Sequence, residues 1–133
     1  LQAAIGLVQF DKLDEIVEKK NKIYDLYTKK INNPDFRIIK PNSSSSFVPF
    51  RVSLVYKHNV KNLIEYLTEN QIETRTFFYP LHRQPCYSER VFRDEDYKNS
   101  IYAYEHGICM PSYVTLKESE IDYICERLNQ YEI

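Results

Sequence analysis

The sequence predicts an α+β domain, a small antiparallel sheet covered by helices in the manner of an α/β sandwich. Three patterns carry this. An apolar stripe of helical period runs through residues 1–31, and residues 47–57 alternate as a strand does. A strand–helix–strand passage in the middle is then followed by two further helical patterns. The chain has 133 residues, 43% hydrophobic and 28% charged, which is the size and balance of one folded domain.

Residues 1–31 read as one long helix. Ile5, Val8, Leu13, Ile16, Val17, Ile23, Tyr24, Tyr27 and Ile31 recur at helical spacing, and Asp11, Lys12, Glu15, Glu18, Lys19, Lys20 and Lys22 fill the opposite side. Its first turns, Leu1 to Leu7, carry no charge and are rich in small residues, so another backbone can approach closely. This end is expected to be buried against another element or domain. Asn32-Asn33-Pro34 stops the helix, and Phe36 to Lys40 is a short strand candidate closed by Pro41. Asn42 to Ser46 is a polar surface connector to which no chemistry attaches.

Residues 47–57 form the clearest strand, with Phe50, Val52, Leu54 and Tyr56 on one side; Pro49 near its start suggests an edge or a bulge. Asn59 caps a helix to about Gln71 that turns Val60, Leu63, Ile64 and Leu67 inward. A second strand runs from Glu73 to Tyr79 and ends at Pro80. Leu81 to Asp96 is irregular. A short helix from about Tyr97 to His106 has Gly107 as its C-terminal cap, and Ile108 to Pro111 is extended. Thr115 to Glu118 reads as a capping box opening a last helix with Ile121, Ile124, Cys125 and Leu128 on one face.

Composition narrows the function classes. A net charge of -1 argues against a broad nucleic-acid surface. The two glycines, Gly6 and Gly107, cannot build a Gly-rich phosphate loop. Cys86, Cys109 and Cys125 stand far apart, with no Cys-x-x-Cys pair, and are expected as reduced thiols of a cytoplasmic protein. His82, Cys86 and His106 match no standard metal spacing. No membrane-length apolar run and no signal peptide is read.

The chemistry-bearing stretch runs from Glu73 to Pro85, at a strand end and between two prolines. Arg75, Tyr79, His82 and Arg83 offer donors suited to an anionic, oxygen-rich ligand, and arginine can grip phosphate bidentately. From residue chemistry alone, a ligand-facing loop and a solvated strand exit both stay open. His82 shows no partner acid in the sequence. Phe77, Phe78 and Tyr79 suggest base stacking, but the basic surface of RNA-binding sheets is missing; core packing by Phe78 and one neighbour is the expectation.

Three segments resemble one family. Leu1-Gln2-Ala3-Ala4-Ile5-Gly6-Leu7 with Phe10-Asp11-Lys12-Leu13-Asp14 looks like the helix that opens the C-terminal part of the DegT/DnrJ/EryC1/StrS sugar aminotransferases. Ile72-Glu73-Thr74-Arg75 with Tyr79-Pro80-Leu81-His82-Arg83-Gln84-Pro85 resembles that family's second signature. Gly107 to Ser112 with Leu116 to Ile124 resembles its closing segment. The resemblance covers essentially the whole chain, and its flavour is the perosamine or viosamine synthase type.

The resemblance implies the small C-terminal domain (residues 1–133) of a type I aminotransferase that uses pyridoxal phosphate. Such an enzyme moves an amino group, usually from glutamate, to a keto group of a nucleotide-linked deoxysugar, in deoxyamino sugar and polysaccharide biosynthesis. A large-domain lysine forms the Schiff base and a large-domain aspartate meets the pyridine nitrogen. No lysine of this chain sits in that context, so no catalytic residue is nominated and no cofactor is expected on this chain alone. The implied partners are the large domain, the nucleotide sugar and a second subunit of a homodimer, with neither nucleic acid nor membrane. Tyr79, His82, Arg75 and Arg83 are the substrate-binding candidates. The alternative is a stand-alone ligand- or protein-binding module derived from the same domain, without catalysis.

Overall fold

The computed structural model describes residues 1–42, 44, 46–87 and 92–132. Among these the elements run α1 (Gln2–Phe10), α2 (Leu13–Lys30), β1 (Phe36–Ile38), β2 (Val52–Tyr56), α3 (Val60–Glu69), β3 (Arg75–Thr76), α4 (Lys98–His106), β4 (Gly107–Met110) and α5 (Glu118–Gln130). Single 3-10 turns stand at Leu81–Arg83, Pro85–Tyr87 and Asp94–Tyr97. The strands pair in the order β1-β2-β4-β3, and every pairing is antiparallel. The expected α+β class, a small antiparallel sheet covered by helices, is the one observed.

The alternation of β2 places Val52, Leu54 and Tyr56 on one face, and register sets Leu54 opposite Ile108 and Val52 opposite Met110. All five are buried, under Ile23 and Tyr27 of α2, Leu63 and Leu67 of α3, and Ile121, Ile124 and Leu128 of α5. Each such aliphatic side chain stabilises the fold by roughly 1.5–3 kcal/mol. The Tyr27 hydroxyl donates to the Pro111 carbonyl at 3.0 Å, which lets a polar tip end inside the core. Burial pushes that phenol well above its usual range.

The helix ends hold the layers in register. Asn129 of α5 accepts the N–H groups of Asn32 and Asn33 at 2.8 and 3.1 Å, and its amide donates to Lys30 at 2.8 Å. These bonds satisfy backbone groups that the end of α2 leaves open. Asn59 caps α3 as expected, its side chain accepting from Lys61 N–H at 2.9 Å. At the other end Gln71 has φ 61°, and Ile72 N–H donates to Leu67 while Gln71 N–H donates to Thr68. This is the left-handed turn-off that usually takes glycine or asparagine.

Several expectations are corrected. The N-terminal helix is broken at Asp11 and Lys12: Lys12 N–H donates to Gln9 in a 3-10 bond, and Lys12 has φ -102° and ψ 3°. Asp14 and Glu15 then sit in the first turn of α2, where free N–H groups favour acidic side chains. The strand of residues 47–57 begins only at Val52; Pro49 is buried ahead of it and β2 is a central strand, not an edge. The strand of residues 73–79 shortens to Arg75–Thr76.

Gly107 is not a left-handed cap. Its φ of -91° and ψ of 133° start β4, and glycine is required because a Cβ there would stand 2.3 Å from the Ala103 carbonyl and 2.4 Å from the Phe77 ring. Phe77, not Phe78, fills this space; Phe78 is 92% exposed. The last helix starts at Glu118, after a turn closed by Leu116 N–H on Tyr113; Glu120 accepts the N–H of Lys117 at 2.7 Å, so the cap lies two residues beyond Thr115. Helix α1 has no buried residue. Of the polar connector at residues 42–46, Ser43 and Ser45 lie outside the described residues, as do residues 88–91 of the irregular stretch.

Candidate functional site

Strand β3 pairs with β4 at the sheet edge, with Arg75 opposite Cys109. Phe77 N–H continues the ladder onto the Gly107 carbonyl at 3.3 Å, and its ring lies over Gly107. The chain then leaves the sheet through the exposed Phe78 and the buried Pro80. Between them Tyr79 meets Tyr104 of α4 edge to face, ring centres 5.2 Å apart. A proline fixed at that point directs Leu81–Arg83 into a 3-10 turn, closed by Arg83 N–H on the Pro80 carbonyl at 3.0 Å.

That turn aims His82 and Arg83 at one carboxylate. The His82 Nε2 lies 2.9 Å from Asp94 Oδ1. Arg83 Nε donates to the same oxygen at 3.1 Å, and its terminal nitrogen donates to Oδ2, so the guanidinium grips the carboxylate with two bonds. The His82 ring stacks on Tyr97, centres 4.3 Å apart and planes 17° apart. Only 5% of the His82 side chain is exposed, against 32% for Arg83 and 53% for Asp94. The Arg83 guanidinium first, and His82 second, hold the Asp94 carboxyl down at about 2. The same carboxylate raises Arg83 above its ordinary value.

The four residues singled out from the sequence fall into two groups. His82 and Arg83 share the Asp94 clamp. Arg75 and Tyr79 are exposed and line, with Arg51 and Thr74, a cavity of about 540 Å³. Arg75 is 69% exposed and reaches Glu73 at 3.8 Å. Arg51 and Arg75 also line a larger groove of about 780 Å³ with Ser112, Tyr113 and Tyr123. Register explains the pairing of the two arginines. Arg75 stands opposite Cys109 and Cys109 opposite Ser53, so Arg51, two residues before Ser53, shares their sheet face.

Sequence reasoning missed Asp94, Tyr97 and Arg51. Asp94 sits in an acidic run that reads as solvated surface, and its partners lie 11 and 12 residues back across an irregular loop. Arg51 is separated from Arg75 by a helix, and only sheet order joins them.

Among the described residues no group of three His, Cys, Asp or Glu side chains could hold a metal ion. Nor do the lysines fit a Schiff-base cofactor. Lys20 donates to the carbonyls of Phe50 at 3.0 Å and Ser112 at 2.5 Å. Lys30 is held by Glu118 and Asp122, and the others stand on exposed surface. Among the described residues these are the contacts and exposures of structural and surface lysines. No helix is long and apolar enough to cross a membrane among the described residues.

The architecture recurs in solved aminotransferases. PseC of Helicobacter pylori, an aminotransferase involved in the biosynthesis of pseudoaminic acid, superposes with a TM-score of 0.82 at 19% identity, over 96% of this chain and 35% of its own. Spr1654 of Streptococcus pneumoniae in its PLP form gives 0.87 at 21% identity, over 96% of this chain and 34% of its own. The fold is thus shared with about a third of each of these chains. The chain belongs to the DegT/DnrJ/EryC1/StrS aminotransferase family, whose pattern matches residues 1–129. The GDP-perosamine synthase of Escherichia coli O157:H7 is 32% identical over 131 residues, 97% of this chain and 35% of that protein. The chain thus spans about a third of the length of the relatives it matches.

Proposed function

We propose that this chain is the small, C-terminal domain of a cytoplasmic, homodimeric aminotransferase that uses pyridoxal phosphate, and that it is inactive alone. The parent transfers an amino group from glutamate to a keto-deoxysugar carried on a nucleotide. The large domain supplies the Schiff-base lysine and binds the cofactor, and α1 packs against it. The reading is supported by the family match over residues 1–129 and by relatives named for GDP-perosamine synthesis. The Spr1654 structure in its PLP form supports the cofactor.

This chain contributes the Tyr79–Pro85 loop to the substrate cleft. Tyr79 and Arg75 carry exposed donors suited to hydroxyl and phosphate oxygens. His82 meets the substrate by the nitrogen that Asp94 does not hold, and Arg83 acts mainly by holding the turn. The single observation that carries the reading is the exit of this loop from an edge strand, with two prolines and four donors in a short span.

In the full-length enzyme His82→Ala raises the KM for the sugar nucleotide more than it alters cofactor affinity. An unchanged KM removes the loop from the substrate site. Mixed with pyridoxal phosphate, this chain alone gives no Schiff-base absorbance beyond that of surface lysines. A specific absorbance that survives dialysis would favour the stand-alone module instead.

A further inference from the structure

We infer that Asp94 is the positioning residue of the candidate site: it holds His82 by Nε2–H and so leaves Nδ1 as the nitrogen presented to the substrate. The inference rests on the reading above for the identity of the ligand, but the clamp itself is a property of this chain.

The argument is one of donors and acceptors. An ionised carboxylate only accepts hydrogen bonds. His82 Nε2 lies 2.9 Å from Asp94 Oδ1, so the proton of that bond sits on Nε2. In the neutral ring the second nitrogen is then an unprotonated acceptor, and in the charged ring it is a donor. Among the described residues no hydrogen bond engages Nδ1, whereas Nε2 is fixed.

Three further contacts make the arrangement rigid. Arg83 grips both oxygens of Asp94, so the carboxylate cannot turn away from His82. Tyr97 stacks on the imidazole face at 4.3 Å, which sets the ring plane. The Phe92 ring meets Tyr97 edge to face at 6.0 Å. With 5% of the side chain exposed, little of the ring is left open to solvent. Among the described residues, the charged and titratable groups facing this cluster are Asp94, Arg83 and Tyr97 in contact, with Tyr79 and Glu105 acting on Arg83 from the strand exit and from α4.

An orienting carboxylate on the far nitrogen of a histidine is a recurrent way to fix tautomer and aim. Here both partners lie on one loop, so the aim is set before any ligand arrives. The stated role differs from that of a contact residue, since Asp94 acts through His82.

The test has two arms. In this chain, labelled imidazole nitrogens are read by NMR. The expected result is a slowly exchanging Nε2–H proton on His82 and, in the neutral ring, an unprotonated Nδ1. Asp94→Ala abolishes that protected proton while the amide signals of Leu54 and Ile108 in the core stay in place. A proton on Nδ1, or an Nε2–H signal that survives Asp94→Ala, overturns the inference. Should Asp94→Ala disturb the core amides, Asp94→Asn supplies the same comparison with the volume retained.

In the full-length enzyme the second arm compares two amides at one position. An asparagine amide stands near Nδ1 of a histidine and a glutamine amide near Nε2. His82→Asn keeps KM for the sugar nucleotide within a few-fold, whereas His82→Gln raises it by roughly tenfold or more, the loss of one charge-assisted bond. The reverse order overturns the assignment of Nδ1. If neither variant moves KM while the NMR arm succeeds, the substrate-site reading fails and the clamp stands.

Discussion

The imidazole of His82 and the phenol of Tyr97 lie face to face, 4.3 Å between centres and 17° between planes. The stack shields one side of a histidine whose Nε2 is already engaged. Tyr97→Leu keeps an apolar neighbour but removes the plane. The expected outcome is severalfold faster modification of His82 by diethylpyrocarbonate, with thermal stability changed by no more than about 1 kcal/mol.

The Asp94 carboxyl titrates at about 2 in the fold, below the ordinary aspartate value of about 3.9. A depressed carboxyl stabilises the folded state above its unfolded value, and that contribution fades as pH falls towards its folded value. The clamp therefore persists through pH 4 and opens only near pH 2. Carboxyl-carbon NMR of Asp94 gives the midpoint directly. Because Arg83 is the larger cause, Arg83→Gln shifts that midpoint upward, towards the ordinary value, and His82→Gln shifts it less.

Gly107 has no room for a methyl group: the Ala103 carbonyl and the Phe77 ring occupy that space. Gly107→Ala is expected to cost at least about 2 kcal/mol, because the nearest atom is backbone and cannot rotate away. Urea unfolding measures the loss. The companion change Phe77→Ala in the same chain recovers part of it, by freeing one of the two obstructions.

Leu54 is fully buried, sits in a central strand and faces Ile38 on one side and Ile108 on the other. Leu54→Ala is expected to cost about 2–5 kcal/mol, the range for a cavity that the neighbours only partly close. Phe78→Ala, at a residue 92% exposed, changes stability by no more than about 0.5 kcal/mol.

Much of the fold could be read from local pattern. The core face of α5, the Asn59 cap, the stop at Asn32 to Pro34 and the antiparallel sheet all follow from periodicity and side-chain chemistry over a few residues. What failed lay outside the reach of local pattern. A hydrophobic repeat runs unbroken through Asp11 and Lys12, so nothing in its period marks the turn there. Gly107 looks like a helix cap by position, yet the requirement for glycine comes from the Ala103 carbonyl together with a phenylalanine far back in the sequence. Phe77 and Phe78 are identical as residues, and strand register alone decides which one is covered.

The candidate site divides in the same way. The loop from Tyr79 to Pro85 stands out because prolines and donors crowd a strand end. Its organising carboxylate does not, since Asp94 is one of several acids in a polar stretch and meets His82 only through the fold of the loop. The resemblance to a family located the loop. The geometry assigned its internal order.

Helix α1 is nine residues long and buries none of them. A helix of that length is marginal in water without a packing partner. Its amide hydrogens are therefore a gauge: they exchange at nearly the rate of an unstructured peptide when the helix is bare and slow sharply when something covers Ile5 and Val8. Hydrogen exchange at α1, set against the slow amides of β2 and β4, thus reports occupancy of that face without any knowledge of what occupies it.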